Sequence, residues 1–167
     1  MASWAVALPF FGLLLGLVAA IALIDLRELR IPDALNAALL AGGLAQAAVT
    51  DLLAQPAGHA GLRQALASAA ILFAVLLAVR ALYHRLRGRT GLGLGDVKMG
   101  GAAASWISPW NLNLMVLIAC LSCLLYVWFA RRKSPLRPPR QAQGGGRIPF
   151  GPFLGLGVVA IWLAERL

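Results

Sequence analysis

The sequence predicts an all-α membrane protein, a bundle of about six transmembrane helices with the N-terminus and the C-terminus both outside the cytoplasm. Two features of the composition support this prediction. Of the 167 residues 60% are hydrophobic and only 13% are charged, whereas a soluble domain carries about 25% charged residues. The mean hydropathy is +0.80. The third observation is that the apolar residues form long runs, and a helix that crosses a bilayer needs about 20 of them.

Six apolar segments can form these helices. The first two carry no charge, although the second is shorter and rich in Ala and Leu. The third is apolar except for Arg80, which lies near one end and could extend its guanidinium to the membrane interface. The fourth is short and built from Gly, Ala and Ser, a small-residue surface that lets membrane helices pack closely. The fifth is strongly apolar and the sixth closes the chain, so that the segments are 4–24, 34–50, 64–83, 97–110, 112–130 and 148–163.

The basic residues test this count independently. With the N-terminus outside, the connections between segments one and two, three and four, and five and six face the cytoplasm. These connections and the segment ends beside them hold thirteen of the 15 Lys and Arg residues, leaving only Arg63 and Arg166 outside. The positive-inside rule predicts this asymmetry, which arises only if the short fourth segment crosses the membrane. The thirteen are Arg27, Arg30, Arg80, Arg85, Arg87, Arg89, Lys98, Arg131, Arg132, Lys133, Arg137, Arg140 and Arg147.

The net charge of +9 therefore does not indicate a nucleic-acid partner. The charge lies in short loops next to the membrane, where topology and contact with anionic lipid headgroups account for it. No aromatic and basic platform accompanies it, so nucleic-acid binding is not expected. The whole chain, 1–167, is predicted to be one membrane domain. Its one region rich in Pro and Gly, 131–147, is predicted to be a flexible cytoplasmic loop, either a plain linker or a gate for the site.

No metal ion or other cofactor is expected. Cys120 and Cys123 form a C-x-x-C pair inside an apolar segment, but without a second pair of ligands this is a poor zinc site. The topology places His59 and His84 on opposite sides of the membrane, which argues against a metal site and against a Ser/His/Asp triad. Both histidines are predicted to be loop residues.

Two of the few acidic residues share a membrane depth and a face. Asp25 ends the first segment at its cytoplasmic boundary, and Asp96 opens the fourth segment at the same boundary. Two neighbouring carboxylates cannot both ionise easily, so they share a proton. The ionised partner can take a proton from water while the protonated partner polarises a carbonyl. The pair therefore predicts an aspartyl protease. The acidic residues in total are Asp25, Glu28, Asp33, Asp51, Asp96 and Glu165.

Residues around the pair have supporting roles. Gly93 and Gly95 lack a Cβ and would let a substrate backbone or an opposing helix approach Asp96 closely. Lys98 either lowers the pKa of Asp96 or simply reflects the topology, and the sequence favours neither. Asp33 follows Pro32 and is predicted to cap the second helix rather than to act as a third catalytic acid.

The run Gly93-Leu94-Gly95-Asp96-Val97-Lys98 resembles the signature of the GxGD membrane aspartyl proteases, and in particular the type IV prepilin peptidase family. Two other stretches match this family. The stretch 25–33 places Ile-Pro-Asp after the first aspartate, and 148–154 resembles the opening of the last core helix. The chain lacks the cysteine-rich insert of longer members, as in the short enzymes of Tad-type pilus systems. The resemblance therefore implies a leader peptidase without N-methyltransferase activity.

The resemblance also implies a substrate and site residues. Such enzymes cut the basic leader from prepilins or pseudopilins at the cytoplasmic face of the membrane. Asp25 and Asp96 match the catalytic aspartates, and Gly93 and Gly95 match the motif glycines. Other recurrent positions that support the motif or the substrate are matched by Asp33, Lys98, Pro149 and Gly151.

The sequence predicts two kinds of contact with the substrate. The apolar helix of a prepilin could pack on the small-residue faces of the second and fourth segments, and Glu28 and Asp33 could attract its basic leader. A small transporter or channel with carboxylates at the membrane boundary is the alternative function. It predicts acids near the midplane and an internal repeat. The sequence leaves the oligomeric state undetermined.

Overall fold

The computed structural model describes residues 2–53, 60–89, 91–133 and 149–167, and within these ranges every regular element is helical. This confirms the predicted all-α fold. Residues 131–133 are the last turn of a helix, and the rest of the predicted flexible loop, 134–147, lies outside the described residues. The helices are α1 (Ala2–Glu28), α2 (Asp33–Leu53), α3 (Ala60–Arg87), α4 (Leu94–Ala104), α5 (Leu112–Lys133) and α6 (Gly151–Ala164), with a 3₁₀ turn at Pro109–Asn111.

A helix lies at each of the six predicted positions, but the helices differ in length. In the described part of the chain, α1, α2, α3 and α5 are long and apolar enough to cross a membrane, whereas α6 is shorter. The 11 residues of α4 reach only about 16 Å at 1.5 Å per residue, about half the apolar thickness of a bilayer. The fold is that of a multi-pass membrane protein. The side of the membrane on which each terminus lies remains a prediction.

Backbone geometry at two helix ends turns the chain. α3 ends at Arg87 because Gly88 adopts a left-handed φ of 66°, the usual conformation after a helix. α1 ends at Glu28 in a similar way, but there Leu29 carries the positive φ of 52°, which is uncommon for a residue with a side chain. The turn at Leu29 brings Ile31 back into the core, where it is 9% exposed.

The short α4 lies inside the bundle and contacts α2, α3 and α6. Its residues Val97 and 99–104 are buried. A Cβ on Gly100 would collide with Leu76 Cδ1, and one on Gly101 would lie 2.9 Å from Phe73 Cβ. The prediction that this small-residue run permits close packing is therefore confirmed.

Several polar groups inside the bundle form hydrogen bonds with distant segments of the chain. Trp106 Nε1 donates to the Leu39 carbonyl oxygen at 2.8 Å, and Trp162 Nε1 donates to Gln46 Oε1 at 2.8 Å. Ser68 Oγ donates to the Ile107 carbonyl oxygen at 3.1 Å. By contrast, α1, α3 and α5 expose many large apolar side chains, as expected of helices that face lipid.

Gly157 marks a close approach of α6 to α5, and an alanine there should destabilise the fold. A Cβ at this position would lie 2.6 Å from the backbone carbonyl oxygen of Met115, so the two helices would have to separate. Overpacking of this kind typically costs about 1–3 kcal/mol. We expect Gly157→Ala to lower the thermal unfolding temperature in detergent. Gly16→Ala is the matched control, because nothing lies within 4 Å of a Cβ on Gly16. Equal unfolding temperatures for the two variants would contradict the packing.

Candidate active site

Asp25 is held at the junction of α1 and α6. It lies one turn before the end of α1 and is only 4% exposed. Its Oδ2 accepts a hydrogen bond of 2.9 Å from the backbone N–H of Gly151, the first residue of α6. A helix N-terminus carries partial positive charge, so this contact favours the ionised carboxylate. A Cβ on Gly151 would lie 2.8 Å from the same oxygen. Any larger residue at this position would therefore displace the carboxylate or the helix.

Two prolines lie beside Gly151 at the start of α6. Pro152 occupies the first turn of α6, where a missing N–H leaves no helical bond unmade. Pro149 is buried just before the helix. The preceding residue, 148, lies outside the described residues.

Asp96 lies in the first turn of α4, outside the four spanning helices. Gly93 precedes α4 in an extended conformation, with φ −65° and ψ 145°. A Cβ on Gly93 would lie only 2.7 Å from Asp96 Oδ2. The group that approaches Gly93 closely is thus the carboxylate of Asp96 itself, whereas approach of a substrate backbone to this glycine stays a prediction.

Ile31 connects the two aspartate sites. Its side chain lies 3.3 Å from a Cβ built on Gly95 and 3.4 Å from one built on Gly151. Gly95 precedes Asp96, and Gly151 binds Asp25, so one apolar side chain contacts both carboxylate segments. The structure therefore brings Asp25 and Asp96 to the same end of the bundle.

The electrostatic environment of Asp96 reflects this proximity. Burial raises the pKa of Asp96 to about 6, the negative charge of Asp25 adds to the increase, and a hydrogen bond with the Gly93 backbone opposes it. A carboxyl group with this pKa retains its proton far more readily than an exposed aspartate, whose pKa is about 3.9. One carboxyl of the pair can therefore be protonated while the other is ionised.

Lys98 and Asp33 pair with each other. Lys98 Nζ donates to Asp33 Oδ1 at 2.8 Å, in a bond exposed to solvent. The interpretation that Lys98 lowers the pKa of Asp96 is therefore not supported. The predicted capping role of Asp33 is also wrong. Asp33 is the first residue of α2, and the Pro32 carbonyl oxygen accepts the first helical bond from the Asn36 N–H.

Two residues of α3 hold the segment that leads into α4, and sequence reasoning missed this role. Arg80 Nη1 donates to the Leu92 carbonyl oxygen, and the ring of Tyr83 lies 2.8 Å from a Cβ built on Gly91. The signal in the sequence is that Arg80 is the lone charge of an apolar segment. The prediction that Arg80 reaches the membrane interface does not include its bond to the Leu92 carbonyl oxygen.

The described residues include no group of three His, Cys, Asp or Glu side chains arranged to hold a metal ion. His59 lies outside the described residues. Cys120 and Cys123 are unpaired residues of α5.

Comparison with known proteins agrees with the motif. Residues 12–128 match the profile of the type IV leader peptidase family, a range that includes both aspartates. A prepilin leader peptidase/N-methyltransferase of Aeromonas salmonicida (strain A449) is 33% identical over 152 residues, covering 91% of this chain and 47% of that protein. The protein of the same name in Dickeya chrysanthemi is 30% identical over 157 residues, covering 92% and 50%.

The chain thus spans about half the length of the curated relatives it matches. A third relative of the same name, from Xanthomonas campestris pv. campestris, is 33% identical over 144 residues, which are 83% of this chain and 45% of that protein. No solved structure matches the chain significantly.

Proposed function

This chain belongs to the type IV leader peptidase family, and we propose that it is an aspartic-type endopeptidase that removes the basic leader from prepilins or pseudopilins. The observation that carries the proposal is the pairing of Asp25 and Asp96 at one end of the bundle, where the charge of one acts on the other. Their positions at helix ends fit a site at the membrane boundary better than the midplane site of a transporter or channel.

The two carboxyl groups take different roles in this mechanism. Asp25 is buried, and within this environment it accepts the Gly151 N–H at the N-terminus of α6, a contact that stabilises negative charge on its carboxylate. Asp96 has a pKa of about 6 and is the partner that holds the proton. We therefore assign Asp25 as the general base and Asp96 as the general acid.

Hydrolysis then proceeds without a covalent intermediate. Asp25 takes a proton from water as the water oxygen attacks the scissile carbonyl carbon, and Asp96 gives its proton to the carbonyl oxygen. When the tetrahedral intermediate collapses, the C–N bond breaks and the proton held by Asp25 passes to the leaving amine. The hydroxyl proton of the intermediate returns to Asp96 as the carbonyl re-forms. The products are a leader with a new carboxyl terminus and a pilin with a new amino terminus.

The cytoplasmic face of the bacterial inner membrane is the proposed location. The distribution of basic residues supports it, because the loops beside Asp25 and Asp96 are those rich in Lys and Arg. The names of the relatives support a prepilin as substrate. A prepilin would present its apolar helix to the bilayer and its leader to the cytoplasm.

The proposal is tested with the full chain reconstituted in lipid vesicles together with a purified prepilin. We expect mass spectrometry to show a shortened pilin whose new N-terminus lies just before the apolar segment. A cysteine or serine protease inhibitor should leave the reaction unchanged. Persistence of the intact precursor with every prepilin of the source genome, under conditions where the chain remains folded, would refute the proposal.

The pH dependence of cleavage should reveal the protonated partner. Because burial and the Asp25 charge raise the pKa of Asp96 to about 6, its proton persists through the acid range and is lost as the pH rises. We expect kcat/KM to fall above about pH 6, approaching tenfold per pH unit as a single proton is lost. Initial rates measured across the acid and neutral range check this. A rate that keeps rising through neutrality would contradict the assignment of Asp96 as the acid.

A further inference from the structure

A groove between α2, α3 and α4 opens beside the candidate active site. Its volume is about 440 Å³, and most of its wall is apolar. Leu40 of α2, Phe73 of α3 and Gly101 of α4 contribute apolar surface. The Lys98–Asp33 ion pair and Asn36 supply its polar groups.

Asn36 is the unusual member of this wall. It is 6% exposed, yet neither its Nδ2 nor its Oδ1 has a hydrogen-bond partner among the residues that the structure describes. A buried polar group without a partner is costly, and such groups are rare in folded proteins. An occupant of the groove that supplied both a donor and an acceptor would remove that cost.

The chemistry of the carboxamide selects the kind of occupant. Asn36 offers an NH₂ donor and a carbonyl acceptor on one planar group. A peptide main chain offers the complementary C=O and N–H at every residue other than proline. The acyl chain of a lipid offers neither group, and a lipid ester offers only acceptors. A peptide in an extended conformation, with its main-chain groups free, therefore fits Asn36 better than a lipid does.

The position of the groove connects it to the catalytic pair. Lys98 in its wall lies two residues after Asp96, and Asp33 lies two residues after Ile31. Ile31 in turn contacts the positions of Gly95 and Gly151 beside the two aspartates. A peptide chain in the groove would thus need only a few residues to reach the carboxyl groups.

We propose that this groove binds the first few residues of the substrate after the scissile bond, at the start of its apolar segment, where the backbone is extended and not yet helical. Asn36 forms paired hydrogen bonds with the N–H and C=O of one substrate residue whose backbone is extended. This inference rests on the proposed function and specifies how the substrate is held. Asn36 is a substrate-binding residue in this scheme, and the apolar wall accommodates the side chains on either side of it.

Replacing Asn36 with leucine separates binding from folding. We expect Asn36→Leu in the full chain to raise KM for a prepilin about tenfold, with a smaller change in kcat. A tenfold change corresponds to the loss of roughly one hydrogen-bonded contact. The same variant should raise the thermal unfolding temperature, because it removes a buried carboxamide that has no partner among the described residues of the free protein. Asn113→Leu, the same change at an exposed position of α5, should alter neither quantity.

The outcomes of this comparison are distinct. If Asn36→Leu lowers both the unfolding temperature and the activity, Asn36 has a structural role, and the inference is overturned. If the unmutated protein cleaves the prepilin and Asn36→Leu has the same KM, the inference is also overturned, and the proposed function stands.

Photocrosslinking tests the groove without requiring cleavage. A photoreactive phenylalanine in place of Phe73, in an Asp96→Asn background, should crosslink to the apolar segment of a prepilin in mixed vesicles. The control position is Leu121 on α5, which is 51% exposed and lies outside the groove. Adducts with lipid alone, or equal yields from both positions, would overturn the inference. If the wild-type chain cleaves no prepilin, the proposed function fails, and the crosslinks still decide whether the groove binds a peptide.

Discussion

Asp25→Asn and Asp96→Asn should each reduce prepilin cleavage by about a thousandfold or more while the protein still folds. General acid–base groups contribute about 10²–10⁴-fold each, and an amide at either position can neither accept the proton of water nor donate one to the carbonyl oxygen. Asparagine keeps the size of the side chain. Both variants should therefore insert into the membrane and have the unfolding temperature of the wild-type chain. Cleavage by the reconstituted variants, followed by mass spectrometry, measures the effect.

Glu165→Gln is a suitable control for these variants. Oε1 of Glu165 accepts hydrogen bonds from the Ser108 N–H and Asn111 Nδ2, and a glutamine oxygen can accept both. The change removes one negative charge at a site far from the aspartates and should leave the rate unchanged. Full processing by either aspartate variant would eliminate the two-carboxylate mechanism, whereas loss of activity in Glu165→Gln would indicate a general effect of charge.

Gly151→Ala should reduce cleavage by about a hundredfold although no reacting group is removed. The new Cβ would lie 2.8 Å from Asp25 Oδ2 and 3.3 Å from its Cγ, so the carboxylate must move or α6 must shift. A displacement of about 1 Å in a catalytic group can cost about 10²-fold in rate. Asp25 would be misplaced relative to the scissile bond even after the substrate has bound. We therefore expect kcat to fall more than KM rises.

Gly12→Ala provides the matched comparison for this substitution. Nothing lies within 4 Å of a Cβ on Gly12, and alanine is favoured over glycine in a helix by about 1 kcal/mol. This variant should cleave at the wild-type rate and be at least as stable. If Gly151→Ala also cleaves at the wild-type rate, then Gly151 does not position Asp25. Gly157→Ala, which disturbs packing elsewhere in α6, distinguishes a local effect on Asp25 from general destabilisation.

Much of the fold follows from local properties of the sequence. Long apolar runs identify helices α1, α2, α3 and α5, and the small residues of 97–110 identify α4 as a closely packed helix. Helix ends are less predictable, since Leu29 turns the chain in a left-handed conformation that its residue type does not indicate. The aspartates can be found from the sequence because a carboxyl group at the end of an apolar segment is costly and rare.

Interactions between distant residues are the part that local patterns do not reveal. The bond from Gly151 to Asp25 joins residues 126 positions apart, and the Lys98–Asp33 bond joins residues 65 positions apart. The sequence relates Lys98 to its neighbour Asp96 or to the topology, and Asp33 to its own helix or to the substrate, and does not indicate that the two residues pair with each other. The roles of Arg80 and Ile31 likewise depend on segments outside their own, the Leu92 carbonyl for Arg80 and the positions of Gly95 and Gly151 for Ile31. Asn36 gains its role from the groove that its helix forms with α3 and α4.

Hydropathy and the cost of burying a charge are properties of short segments. For this reason the order of the amino acids is enough to predict a helical membrane protein with two carboxyl groups at helix ends. The backbone group that holds Asp25, the partner that Lys98 takes and the buried carboxamide of Asn36 become visible only once the helices are packed. Packing joins side chains and main-chain groups whose separation in sequence carries no information about their distance in space.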